Sequence, residues 1–195
     1  MTSVLQFLAE GITAFYLGHS LVSPTLPEMM RDVTKATIQY QIINGAPLEV
    51  QWKESAVAQG VDGRSWIPDH PVDVLVLTER VPLAPTIEYH DSAGYATRWV
   101  KLALDANPRV QSYLYQTWDD IDDAQTGTTR TWRDRILSDL PQWQGIVDKV
   151  NAGLPATLNG TSSGIYAQAL TLPSGSGMTE GEFGVVESTI RALVG

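Results

Sequence analysis

Val72 to Thr78 reads Val-Asp-Val-Leu-Val-Leu-Thr, a nearly continuous aliphatic run and the strongest strand signal in the chain. Runs of this kind suit a strand buried on both faces, at the centre of a parallel sheet covered by helices. Parallel neighbours cannot be joined by a tight hairpin, and each needs a crossover of about a dozen residues or more, usually helical. The rest of the chain must therefore alternate strand with helix.

The pattern on either side meets that demand. Thr13 to Leu17 is apolar and aromatic and reads as the first strand, ended by the turn Gly18-His19-Ser20. A helix is expected over residues 23–33, with Pro24 and Pro27 near its start and Leu26, Met29, Met30 and Val33 at helical spacing. Thr37 to Ile43 alternates Ile38, Tyr40 and Ile42 with Gln39 and Gln41, and ends in the turn Asn44-Gly45-Ala46-Pro47. Leu48 to Trp66 reads as loop and helix with Trp52, Ala56 and Ala58 inward, and Asp69-His70-Pro71 as a turn before the aliphatic strand. Glu79 to Asp91 reads as a long loop. Ser92 to Ala106 is an amphipathic helix carrying Tyr95, Trp99, Leu102 and Ala103 on one stripe. Val110 to Thr117 is a fourth strand, Asp119 to Thr129 an acidic loop, and Trp132 to Asn151 a long helix.

This alternation predicts an α/β fold, a three-layer α/β/α sandwich around a flavodoxin-like parallel sheet of about five strands. Residues 2–10 read as a short helix or an irregular lead-in. After Asn151 the composition changes, with no Asp, Glu, Lys or Arg from Val150 to Thr179. Ala167 to Leu172 is a candidate strand and Glu182 to Val194 a candidate helix. The expectation is one domain over residues 1–195, with 151–195 a divergent or incomplete tail.

Composition narrows the function. The 195 residues carry a net charge of -9, which disfavours binding nucleic acid or an anionic membrane surface. No segment approaches a membrane span, and Met1 to Leu8 lacks the basic leader of a signal peptide, so the default expectation is cytoplasmic. Cysteine is absent, which excludes disulfides, thiol catalysis and Cys-ligated zinc. His19, His70 and His90 are far apart, and the Asp119, Asp120, Asp122, Asp123 cluster lacks cation-loop spacing. No metal or other cofactor is expected.

The residues that carry chemistry lie where strands end. In open α/β sheets ligands bind outside the carboxyl ends of the strands, and Ser20 stands at such an end. Its hydroxyl has two readings, a nucleophile or a helix N-cap. Gly45 lies in the turn after the second strand, at the same edge if the sheet is parallel. Trp118, after the fourth strand, is either cleft wall or a platform for a sugar or acyl group. Arg80 pairs with a carboxylate near the cleft, and Arg133 and Arg135 belong to surface ion pairs.

Several ordered blocks resemble the SGNH (GDSL-like) hydrolase family, in particular its small bacterial members. They are Phe-Tyr-Leu-Gly-His-Ser-Leu-Val (15–22), Ile-Asn-Gly-Ala-Pro-Leu (43–48), Val-Leu-Val-Leu-Thr-Glu (74–79) with Val-Pro-Leu (81–83), and Tyr-Gln-Thr-Trp (115–118). Trp132-Arg133-Asp134-Arg135 adds to the likeness, which spans residues 12–150. The resemblance implies a flavodoxin-like fold and a serine esterase in which Ser20 is the nucleophile. The oxyanion hole would comprise the N–H groups of Ser20 and Gly45 and a side chain after the third strand. That last position, an Asn in the family, aligns with Glu79, and a carboxylate donates no hydrogen bond unless protonated. The substrate would be a small-molecule ester or an acylated glycan, in a cleft including His19 and Trp118.

The family's base is a histidine in a C-terminal Asp-x-x-His motif, and this chain has no histidine after His90. A serine hydroxyl without a base stays protonated and barely reactive. His19 adjoins Ser20 but points away, and His70 precedes its strand at the opposite edge. His90, with Asp91 beside it, is the one histidine expected on the correct edge. Three accounts remain open: an altered tail, a non-catalytic relative that binds a glycan or ester, or His90 as the base.

Overall fold

A computed structural model describes residues 11–34, 36–117, 132–154 and 158–159. All of them belong to the unit Met1–Thr161. Its sheet is built from β1 (Thr13–Gly18), β2 (Thr37–Ile42), β3 (Gln59–Gly60), β4 (Val74–Leu77), β5 (Gln111–Leu114) and β6 (Leu158–Asn159). Between them run α1 (Thr25–Thr34), α2 (Leu48–Lys53), α3 (Gly63–Asp69), α4 (Leu83–Tyr89), α5 (Ser92–Ala106) and α6 (Trp132–Gly153).

The strand order is β3-β2-β1-β4-β5-β6. β2, β1, β4, β5 and β6 are mutually parallel, and β3 alone is antiparallel, paired with β2. Leaving β3 aside, the parallel strands follow the expected flavodoxin-like order, with the aliphatic run of β4 in the middle. The three-layer α/β/α architecture is the predicted one.

Period-two alternation sends side chains to two different faces. Phe15 and Leu17 of β1 and Leu75 and Leu77 of β4 enter the large core formed with α2 to α6, where Trp99, Val100, Trp143 and Val150 are also buried. Ala14 and Ile38 face the other way, and Tyr16, Val74 and the α1 residue Met30 pack against them. The aromatic rings interlock on the large side: Trp52 meets Trp99 edge to face at 4.9 Å, and Phe15 stacks on Trp66 at 5.7 Å.

Four expectations need correction. The loop at 79–91 contains α4: Pro82 is its N-cap residue, and Pro85 lies in the first turn, where a missing N–H costs no hydrogen bond. Thr86 secures that turn by donating its hydroxyl to the Pro82 carbonyl at 2.8 Å. Ala56 is exposed, because the chain leaves α2 in a single 3-10 turn at Ser55–Val57. Met29 is also exposed, on the solvent side of α1. Gln41, expected to face solvent by alternation, is fully buried, because β2 is covered on both faces.

β3 is only two residues long. Gly60 has φ +92°, and a Cβ there would collide with the carbonyl and ring of Tyr40. No helix among the described residues is long and apolar enough to cross a membrane. The expected elements at 2–10, 119–129, 167–172 and 182–194 lie outside the described residues, as does Trp118.

Candidate active site

β1, β2 and β4 run parallel in register, Gly18 opposite Ile42 and Leu17 opposite Leu77, so their carboxyl ends share one rim. Gly18 makes the first turn possible. A Cβ there would lie 2.6 Å from Val22 Cγ2 and 2.8 Å from Thr78 Cγ2, so the close approach of the turn to β4 requires glycine. Beyond it, the His19 carbonyl accepts the N–H groups of Val22 (2.9 Å) and Ser23 (3.0 Å), folding residues 19–23 back on themselves.

Ser20 is exposed at the apex of this turn, and its hydroxyl makes no hydrogen bond with the described residues. It does not cap a helix, since α1 begins only at Thr25. The turn after β2 is tied to the first by the Ile43 N–H, which donates to the Gly18 carbonyl at 3.2 Å. Gly45 follows, exposed and with φ +68°, the left-handed region that favours glycine. Among the described residues neither the Ser20 N–H nor the Gly45 N–H donates a hydrogen bond.

Beneath these two open turns lies a layer of buried polar side chains. Gln51 of α2 is fully buried, and its Nε2 donates to the carbonyls of Gly18 and, at 3.3 Å, Ile43. Gln41 Nε2 donates to Gln51 Oε1 at 3.0 Å and to the Gln51 carbonyl at 2.7 Å, while Gln41 Oε1 accepts the Gly63 N–H at 2.8 Å. The Oε1 of Glu79 accepts the N–H groups of Leu48 (3.0 Å) and Arg80 (2.7 Å). Glu79 is fully buried, and desolvation pushes its carboxyl above the usual carboxylate range, against the pull of those N–H donors.

Two expected site residues belong to this layer and not to an open cleft. Glu79, aligned with an oxyanion donor, uses its carboxylate as an acceptor and is buried beneath the rim. His19, expected to line the substrate cleft, is 2% exposed. Its Nε2 bonds the Glu79 carbonyl at 3.0 Å and its Nδ1 faces the Leu21 N–H at 3.4 Å, so Nε2 is the protonated nitrogen. Burial lowers its pKa and keeps the ring neutral.

His90 is half-buried at the end of α4, and its Nδ1 meets Glu49 Oε2 at 2.7 Å. Glu49 Oε1 also pairs with Lys53 at 2.5 Å. The carboxylate beside His90 is thus Glu49 of α2 and not Asp91, which caps α5 by accepting the Gly94 N–H at 3.1 Å. His70 is exposed at the end of α3, stacked on Trp66 at 4.4 Å and bonded to its carbonyl, away from the rim as expected. Arg80 Nε donates to Thr86 Oγ1 at 3.2 Å, so it braces α4, and it pairs with no carboxylate among the described residues. Among the described residues no group of three or more His, Asp or Glu could hold a metal ion.

Reasoning from the sequence misses Gln51, Gln41 and Glu49. A glutamine in an alternating strand or an amphipathic helix looks like a solvent-facing residue, and only the coverage of β2 on both faces turns Gln41 and Gln51 inward.

With strand order and rim in view, comparison with solved structures is decisive for the fold. A Slackia heliotrinireducens protein described as a candidate SGNH hydrolase is similar over 94% of this chain and 99% of its own, with a TM-score of 0.53 and 16% identity. The fold is that of the SGNH hydrolases. A GDSL-like lipase candidate from Parabacteroides merdae (TM-score 0.46, 12% identity, 81% of each chain) also matches. So does an extracellular lipase of Streptomyces rimosus (TM-score 0.49, 10% identity, 80% of this chain and 82% of that one). At these TM-scores the two lipases add nothing to the assignment. No family model matches the sequence. No curated protein matches it either.

Proposed function

We propose that this protein is an SGNH-type serine hydrolase that cleaves carboxylic esters, carrying acyl or acetyl groups, through an acyl-enzyme. One observation carries the reading. An exposed serine hydroxyl without a hydrogen-bond partner among the described residues stands at the carboxyl rim of β1, beside the Gly45 turn, and both turns hold an undonated N–H. Backbone donors held in place where negative charge develops are the main electrostatic device of acyl transfer, each worth about 10²–10³ in rate.

In this reading Ser20 Oγ attacks the acyl carbon and the carbonyl electron pair moves to oxygen, where the N–H groups of Ser20 and Gly45 hold it. The Ser20 proton passes to a base. Collapse of the intermediate breaks the bond to the alcohol oxygen, which leaves with that proton. Water then attacks the acyl-enzyme by the same route, releasing the acid and restoring the Ser20 hydroxyl.

His90 is the base in this proposal. Its support is the 2.7 Å bond from Nδ1 to Glu49, which fixes the ring and leaves Nε2 as the acceptor of the neutral form. No hydrogen bond occupies Nε2 among the described residues. The substrate class is a small ester or an acylated glycan.

A second reading, a non-catalytic module that binds such a ligand, is favoured by a different observation. Among the described residues no imidazole nitrogen hydrogen-bonds Ser20. The two readings part on incubation with p-nitrophenyl acetate and a fluorophosphonate, using the native chain, Ser20→Ala and His90→Ala. The expected result is hydrolysis and labelling by the native chain, both lost in Ser20→Ala and both reduced at least about a hundredfold in His90→Ala. Labelling lost only in Ser20→Ala keeps the nucleophile and removes His90 as base. No labelling of the native chain supports the binding module.

A further inference from the structure

We infer that Gln51 and Glu79 are positioning residues that lock the Ser20 turn and the Gly45 turn at one fixed separation, so that their two N–H groups converge on a single oxygen. The inference rests on the hydrolase reading above and assigns the groups that preorganise its oxyanion hole.

The geometry is nearly symmetrical. Gly18 lies two residues before Ser20, and Ile43 two residues before Gly45. The side-chain amide of Gln51 donates to both of these carbonyls, bridging the ends of β1 and β2 from below. Its orientation is fixed. Gln41 Nε2 occupies Gln51 Oε1, and a flipped amide would aim oxygen at two carbonyl oxygens. Gln41 is held in turn by the Gly63 N–H.

Glu79 supplies the other two sides of a triangle. Its Oε1 takes the Leu48 N–H, three residues beyond Gly45, so the end of β4 holds the far side of the second turn. Its backbone carbonyl takes His19 Nε2, so the same residue holds the segment immediately before Ser20. Three rim segments are therefore tied pairwise by buried hydrogen bonds, while the Ser20 and Gly45 N–H groups above them donate to nothing among the described residues. Buried hydrogen bonds of this kind fix the geometry of the groups they join; of the Glu79 carboxyl it is Oε1 that does so, while Oε2 is buried without a partner among the described residues. A hole for a transient oxyanion needs that rigidity, because its donors must be in place before the charge appears.

The role makes the two side chains differ in what they tolerate. Glu79 contributes an acceptor, which glutamine keeps. Gln51 contributes a donor to two carbonyls, which methionine of similar size cannot replace.

The test uses the full chain with Gln51→Met, Glu79→Gln and Glu79→Leu. It reads kcat and KM on p-nitrophenyl acetate, and hydrogen exchange of the backbone amides of residues 43–48. Gln51→Met and Glu79→Leu should lower kcat about ten- to hundredfold with KM within about twofold. Glu79→Gln should stay within about threefold of the native kcat. The Leu48 amide should exchange at least about tenfold faster in Glu79→Leu and unchanged in Glu79→Gln, and the Ile43 amide faster in Gln51→Met. Native kcat in both Gln51→Met and Glu79→Leu would overturn the inference, as would equal losses in the two Glu79 variants. Should the native chain prove inactive, the hydrolase reading fails by itself. Exchange then decides: rates unmoved in Gln51→Met and Glu79→Leu remove the lock, and the predicted pattern retains it as the scaffold of a binding rim. If Gln51→Met does not fold, the contrast between Glu79→Gln and Glu79→Leu decides alone.

Discussion

The middle of the sheet and its carboxyl rim are a few residues apart along the same strands, yet they are held by different forces. In the middle, Phe15, Leu17, Leu75 and Leu77 are fully buried and apolar. Immediately beyond, the buried side chains become polar: His19, Thr78 and Glu79, with Gln51 of α2 and Gln41 of β2 beneath the turns. Burial of hydrocarbon is non-directional and scales with area, so the middle supplies stability and accepts many shapes. Hydrogen bonds demand distance and angle, so the rim contributes less net energy and far more geometry. Under the proposed reading, stability and function are stacked along the strand axis.

The largest effect tests the apolar side. Trp99→Ala, which empties a fully buried site facing Trp52, should cost about 3–5 kcal/mol in urea unfolding while labelling per folded molecule is unchanged. Loss of labelling without loss of stability would dissolve the division. Gln41→Met comes next, at about 1–3 kcal/mol, because it strands the Gly63 N–H and Gln51 Oε1. Unlike Trp99→Ala, it should also lower kcat, through the amide that it releases.

Two predictions concern pH. The Glu79 carboxyl is raised by burial, so the folded state holds its proton more tightly than the unfolded chain. Its contribution is complete below the ordinary carboxylate pKa and is lost as pH rises through the folded value. The stability difference between Glu79→Gln and the native chain should therefore shift in favour of the variant as pH rises from about 4. A difference constant with pH between about 4 and 8 would sink this. His19 is opposite in sign. Its lowered pKa gives stability that is present above the ordinary imidazole pKa of about 6.5 and lost on acidification. Replacing it with Asn should flatten the acid side of the melting-temperature profile. The smallest effect is at the surface. Asp105→Asn, which removes a pair with Lys101 in which both side chains are more than half exposed, should change stability by less than about 0.5 kcal/mol.

Much of the middle is legible in the sequence, because it is written in periodicity. β1, β2, β4, α5 and the span of α6 follow from apolar runs and helical spacing, and strand alternation with crossovers leads to the sheet order. α4 is hidden by Pro82 and Pro85, which break helices in their interiors but are welcome at their starts. The rim is legible only in part. Gly18, Ser20 and Gly45 declare their turns through small residues after strands. Gln41, Gln51 and Glu49 carry no such mark, since a polar side chain looks the same in sequence whether it meets water or a buried carbonyl. His19 and Glu79 stand out in the sequence, but as cleft residues, because adjacency along the chain does not tell which side of the backbone a side chain takes.

Gly60 bears on how this molecule behaves in company. With Tyr40 packed where a Cβ would sit, the outermost strand stops after two residues and turns its chain away. Exposed strand edges recruit other chains, and a fringe so short offers them almost no ladder to extend. Any larger residue at that position would push the border strand off β2, free the edge of Gln41 and Ile42 that it now covers, and lengthen the ladder on offer to further copies.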